Sequence, residues 1–320
     1  MKWSACIVAM ISAGMCWNSV VAEWTVEKDD EGVVVKRDGK LVTHYLVKSG
    51  NKPILWPIVG PTGKEMTRAY PMRKEAGIAE GKYPYDHVHQ RSCWFTHGSV
   101  NGVSFWEEVN PKHRPGEQAH KAFKEMSGGE QAKIVSQTEW KNVDENRTEL
   151  EDERTIVFHD EGDARVMDFT VVLKATQGDV QFGETKEGSF GLRVPTSMDV
   201  DMKQGGQIVN SQGETDANAW GKASPWVDYH GPVDGEKLGI AVLNHPSSFR
   251  YPTRWHVRTY GLYAANPWGT KDFTGGKESG GEYKLPKGES LTLRYRVIFH
   301  KGDEKEAKIA ARFEQFAAER

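Results

Sequence analysis

The densest set of chemically capable side chains is Asp86-His87-Val88-His89-Gln90-Arg91, followed by Cys93-Trp94-Phe95-Thr96-His97 and then Phe105-Trp106. Three imidazoles, a carboxylate, a guanidinium and four large aromatics fall within about twenty residues. Imidazoles change charge near neutrality, so this set suits acid/base work, and a His-x-His pair can also contribute two ligands to a metal. If residues 85–95 are extended, His87, His89 and Arg91 share one face, because strand side chains alternate. Such a face is costly to bury unless each polar group is partnered, so it faces a wet cleft or belongs to a satisfied network. A pair of histidines hydrogen-bonded across a strand surface is the structural alternative.

A second set lies far along the chain. In Arg254-Trp255-His256-Val257-Arg258 the charged residues again alternate, and Asn266 and Trp268 follow. Should this strand meet the first across one sheet, the two make a cationic, protonatable surface suited to carboxylates or to enolate-like charge. Should they face opposite ways, they are two exposed strands. Glu187, in Lys186-Glu187-Gly188-Ser189-Phe190-Gly191-Leu192-Arg193, precedes a glycine-flanked strand where backbone can approach a ligand. It is the candidate carboxylate partner of the histidines; a solvated turn glutamate is the alternative. The chain holds 11 tryptophans, several beside polar residues. Flat rings with a polar rim suit the faces of sugars, although large β-domains also bury tryptophan in their cores.

These readings give His87, His89, Glu187 and His256 as candidate catalytic residues. Asp86, Arg91, His97, Arg193, Arg254, Trp255, Asn266 and Trp268 are the candidate substrate contacts. No HExxH, cysteine cluster, EF-hand loop, P-loop, dinucleotide fingerprint or Gly-x-Ser-x-Gly elbow occurs, so no cofactor and no bound metal are expected.

The elements that must position these residues read as β. Residues 33–37, Asp38-Gly39 and 41–47 form a hairpin whose turn suits positive φ. Residues 53–59 form a strand that Pro57 assigns to an edge. Residues 60–86, rich in Gly, Pro and charge, are a long loop leading into the histidines. Strands at 134–140, 148–158 and 165–174 alternate apolar with polar residues, as in a meander with one wet face. Residues 190–194, 207–210, 226–229, 238–243, 255–264 and 290–300 continue the pattern. Residues 304–319 place Ile309, Phe313 and Phe316 at helical spacing, an amphipathic cover over a sheet edge or end. About fifteen strands, one helix and no linker give an all-β fold, a large two-sheet antiparallel β-sandwich with a short C-terminal helix and a cleft on a concave sheet.

At the N-terminus, Lys2, the apolar run 7–15 and Val20-Val21-Ala22 before Glu23 have the pattern of a cleaved signal peptide. Residues 1–22 are therefore expected to be removed, leaving 23–320 as one exported domain, periplasmic or extracellular; an uncleaved anchor is the alternative. Met15 stands where a lipoprotein signal needs a small residue before Cys16. Of three cysteines, Cys93 alone would remain, so no intrachain disulfide forms. With 42 Lys and Arg against 45 Asp and Glu, charge is nearly balanced, which argues against a nucleic-acid partner. Nothing after residue 22 is expected to span a membrane, and a carbohydrate or other small polar substrate is the expected partner.

Segments 86–106, 185–194, 206–220, 226–235 and 252–269 together resemble the bacterial family labelled "methane oxygenase PmoA", also treated as a domain of unknown function. Members are common in planctomycetes and often carry signal peptides. Where members read Asp-His-Pro-His-His-Arg, this chain has Asp86-His87-Val88-His89-Gln90-Arg91, so Gln90 replaces the third histidine. Taken literally the label implies a His-ligated metalloenzyme with oxygenase-like chemistry, yet the membrane subunit of that name has several spans, unlike this chain. The architecture also resembles the galactose mutarotase-like supersandwich, whose members use His and a carboxylate on a concave sheet for acid/base work on sugars. Three functions follow: acid/base chemistry on a sugar (epimerisation, mutarotation, elimination or hydrolysis), a noncatalytic module binding glycan or protein, and the metalloenzyme.

Overall fold

Along Ala164–Lys174 buried side chains alternate with half-buried ones, and this period of two builds most of the molecule. The computed structural model describes Met1, residues 23–74 and residues 83–319. Apart from Met1, the expected leader lies outside the described residues.

Two antiparallel sheets of eight strands each, numbered along the chain, make the body. The first sheet runs β1 (Trp24–Lys28), β2 (Gly32–Arg37), β3 (Lys40–Ser49), β4 (Lys52–Ile58), β5 (Cys93–His97), β11 (Gly188–Arg193), β16 (Leu262–Asn266) and β15 (Arg254–Val257). The second runs β12 (Gln207–Asn210), β13 (Trp226–Val233), β14 (Glu236–Asn244), β18 (Ser290–Lys301), β9 (Ala164–Lys174), β8 (Arg147–Glu161), β7 (Ala132–Asn142) and β6 (Glu117–Ser127). A short pair, β10 (Val180–Phe182) and β17 (Tyr283–Leu285), stands apart.

Phe95, Phe190 and Tyr263 of the first sheet and Phe169, Ile240 and Val297 of the second belong to one buried core between the sheets. The expected β-sandwich is thus the observed fold. Helix α1 (Thr270–Phe273) is one turn. Helix α2 (Ile309–Ala317) buries Ile309, Phe313 and Phe316 against Val166, Trp226, Leu243 and Ile298. It therefore covers the outer face of the second sheet rather than an edge. Each such side chain contributes about 1.5–3 kcal/mol by leaving water.

Several local expectations are corrected. Residues 85–92 are not extended: they form turns, and His87 itself has φ of 46°. Strand β4 lies inside the sheet, not at an edge; its pairing with β5 ends at Leu55, so Pro57 costs no bond on that side. Residues 255–264 are two strands, β15 and β16, because Arg258 to Gly261 close a turn in which Gly261 has φ of 95°. Strand β6 went unread because its residues are polar on both faces, as befits an edge strand carrying Lys121 and Lys124. The hairpin turn at Asp38-Gly39 has the expected positive φ values, 51° and 73°.

Candidate functional site

The outer face of the first sheet carries a row of paired residues: His256 opposite Ala264, Ala264 opposite Gly191, Gly191 opposite Trp94 and Trp94 opposite Ile54. Glycine is required in this row. A Cβ on Gly191 would sit 2.7 Å from the Trp94 indole, which lies across that position. Trp94 in turn packs edge-on against Trp106, with ring centroids 5.5 Å apart. The loop after β5 carries Trp106 back over the sheet, held where Thr96 Oγ1 donates to the Phe105 carbonyl at 2.8 Å.

Above this layer lies a cavity of about 530 Å³, within the usual size of small-molecule sites. His87, His89, Glu187 and His256 all line it, together with Trp106, Tyr260, Arg258 and Gln90. The four candidate catalytic residues therefore converge, and the two sequence segments share one face of one sheet.

Each imidazole is differently held. His256 Nδ1 lies 3.0 Å from the Lys186 carbonyl oxygen, which can only accept, so the proton is on Nδ1 and Nε2 keeps its lone pair. Burial, and after it the nearby Arg258 cation, push His256 down to about 3. His89 also falls to about 3, through burial first and then the Lys52 and His87 charges. It packs against His87 and Trp106, with centroids 5.8 Å and 6.0 Å away.

His87 Nδ1 lies 2.8 Å from Asp86 Oδ2, and its ring stacks on Tyr260 at 5.1 Å with planes 3° apart. The pair to Asp86 fixes ring orientation and leaves Nε2 for a ligand. Burial raises the Asp86 carboxyl, but His87, Arg193 and Arg68 together outweigh it and hold the group at about 2.

The turn bearing these histidines is fastened from beneath by Arg68. Its guanidinium donates to the carbonyls of Pro84, His87 and Gln90 and lies 3.3 Å from Asp86 Oδ1. Arg68 is 3% exposed and belongs to the long loop leading into the histidines, of which residues 66–70 are buried. Residues 75–82 of that loop lie outside the described residues. Gln90 Oε1 accepts from Arg193 Nη1, so Gln90 is a link in this scaffold.

Other expected contacts do not reach the cavity. Arg91 makes a bidentate pair with Glu108, both bonds 2.7 Å, beside the buried Lys52. Arg193 is buried between Gln90, Asp86 and the Tyr260 ring, where it braces the turn. Arg254 donates to the Gly221 carbonyl and pairs with Glu278. His97 is 1% exposed, with Nε2 on the Gly183 carbonyl and its ring against Trp268. Asn266 bridges the Thr185 carbonyl and the Trp268 N–H. Trp255 and Trp268 are both 0% exposed in the core, so neither ring is offered to a ligand. The aromatic residues that line the cavity are instead Trp106, 3% exposed, and Tyr260, whose ring His87 stacks on.

Among the described residues, the group of three side chains close enough to share a metal is Asp228 and His230 of β13 with Glu304 just after β18, apart from His87 and His89. No helix among the described residues is long and apolar enough to cross a membrane.

Fold and site thus define a class: an antiparallel β-sandwich of two large sheets with a histidine-lined cavity on the outer face of one. The chain belongs to the family of unknown function DUF6807, whose profile matches residues 32–314. No curated protein matches it in sequence. Among solved structures it is similar to the galactosidase domain of an α-galactosidase-sucrose kinase, with 9% identity and a TM-score of 0.44 over 87% of this chain and 42% of that one. An α-galactosidase from Lactobacillus brevis gives 10% and 0.35 over 89% and 40%. A galactose mutarotase-like protein from Clostridium acetobutylicum gives 8% and 0.38 over 88% and 99%. The chain spans less than half the length of the two galactosidases.

Proposed function

We propose that this chain is an exported carbohydrate-active protein that performs acid/base chemistry on a sugar held in the cavity of the first sheet. The observation carrying this reading is the convergence of His87, His89, Glu187 and His256 on one cavity that also presents Trp106 and Tyr260. A sugar offers C–H faces to stack on flat rings and hydroxyls for the polar rim. His87, oriented by Asp86, and Glu187 are the proton-transfer pair. His256 Nε2, unprotonated at neutral pH and too weakly basic to hold a proton there, accepts a hydrogen bond from a sugar hydroxyl. His89, held neutral, accepts or donates one hydrogen bond.

Proton transfer at a sugar carbon or ring oxygen, as in epimerisation, mutarotation or elimination, is the chemistry this set supports most directly. The test is a screen of mono- and oligosaccharides for turnover, followed by His87→Ala and His89→Ala. Unchanged turnover and binding of every active sugar in both variants would sink the reading. Sugar affinity without turnover, indifferent to Glu187→Gln, would make the chain a binding module instead. Metal found stoichiometrically at His87 and His89 by elemental analysis of wild type against the same variants would favour the oxygenase-like alternative. Export is tested by sequencing the N-terminus of the protein recovered outside the cytoplasm, with Glu23 expected first.

A further inference from the structure

Each carboxylate lining the cavity is engaged. Glu187 lies 3.2 Å from Lys186 Nζ, and Glu107 accepts from His113 Nε2 and Asn110 Nδ2, both at 2.9 Å. The arginines expected to clamp substrate are likewise occupied: Arg91 by Glu108, Arg193 by Gln90 and Asp86, Arg254 by Glu278. Arg258 differs. Among the described residues its guanidinium makes no ion pair and no side-chain hydrogen bond, and it is half-buried in the cavity wall next to His256. What it has are two aromatic neighbours, Tyr260 with its centroid 5.4 Å away and Trp220 at 5.9 Å.

A half-buried cation without a counter-ion is costly, and cation–π contact offsets only part of that cost. With Lys186 set against Glu187, and Glu107 held by His113 and Asn110, Arg258 is the cavity cation that has no ion-pair partner among the described residues. Both rings lie close to the guanidinium, and its N–H groups, without a hydrogen bond to the protein among the described residues, remain for a ligand. Such a fork matches an acidic group that offers two oxygens, as a sugar carboxylate does.

We propose that the sugar taken by this cavity carries a carboxylate, as a hexuronic acid residue does, and that Arg258 receives it. This rests on the sugar reading above. It also adds to it: the substrate's charged group is placed beside His256, on the wall formed by the end of β15, while the uncharged part of the ring lies toward Trp106.

The test is a glycan array of uronate-bearing, neutral and sulfated oligosaccharides probed with the full chain, followed by calorimetry on the best binders and on their carboxyl-reduced counterparts. Uronate-bearing hits are expected, with affinity falling about tenfold to a hundredfold on carboxyl reduction or in Arg258→Gln, the loss of one charge-assisted pair. Arg258→Lys keeps the charge without the fork and should recover part of the affinity, and thermal melts confirm that both variants fold. Neutral hits bound equally by wild type and Arg258→Gln would overturn this inference and leave the sugar reading standing. Preferred binding of sulfated sugars would overturn the carboxylate assignment. No hit in any class would overturn both.

Discussion

The Nδ1 atom of His256 lies 3.0 Å from the carbonyl oxygen of Lys186, so the backbone before Glu187 decides which nitrogen of that imidazole is an acceptor. One loop thereby sets the tautomer of His256 and delivers Glu187 to the same cavity. Tautomer choice by a carbonyl partner is a positioning effect, and it can be separated from packing by mutation.

His256→Asn keeps a side-chain N–H where Nδ1 stands but has nothing at Nε2. Its thermal midpoint is expected within a few degrees of wild type, while turnover of an active sugar falls about tenfold, the worth of one hydrogen bond to the substrate. A matched fall in both stability and turnover would mean the ring serves packing instead.

Acid should weaken the fold through the buried imidazoles. His256 and His89 have folded values of about 3 against 6.5 when free, so between those limits the unfolded chain binds more protons and stability drops as pH falls. Asp86, held at about 2, adds a loss lower still, as pH falls below its ordinary 3.8. The double variant His89→Gln, His256→Asn is expected to lose markedly less of its thermal midpoint than wild type between pH 6.5 and 4, because each imidazole contributes up to about 3 kcal/mol over that range. Parallel melting curves for the two proteins across that range would contradict the burial argument.

Arg68→Met removes four anchors from the turn holding His87 and His89. Loss of a buried, multiply bonded cation should cost about 2–4 kcal/mol in urea unfolding. Sugar binding should fall further than stability alone explains, because the turn loses its register over the cavity. Full binding at a temperature where the variant remains folded would show that the turn holds itself.

Gly191→Ala is the smallest test of the floor. The added methyl meets the Trp94 ring at 2.7 Å, so Trp94 must shift and displace Trp106 with it. About 1–3 kcal/mol of destabilisation is expected from such overpacking, with weaker sugar affinity. A neutral outcome in both measurements would mean that the indole pair is free to adjust.

The sandwich was legible because alternation survives in most strands; Arg165 to Lys174 shows its buried face plainly in the sequence. Helix α2 was legible for the same kind of reason, with Ile309, Phe313 and Phe316 on one stripe. Strand β6 was not, because an edge strand buries little and its polar residues obscure the period. Arg68 was missed because its partners are backbone carbonyls, which no side-chain pattern reveals. Trp255 and Trp268 were placed at the ligand because a tryptophan beside a charge reads the same whether it lies in a core or a rim.

Residue types and their local period are properties of the chain itself, and they suffice to name His87, His89, Glu187 and His256 as chemically capable and to require two layers of strands. Which strands become neighbours is settled only when long-range pairs form. The order β5, β11, β16, β15 brings residues 94 and 256 into one row although they lie far apart in sequence. Outside that row the same physics withdrew Arg91, Arg193 and Arg254 into ion pairs and, among the described residues, left Arg258 without one. A charge's availability depends on what folding places beside it, and that is a property of the tertiary structure alone.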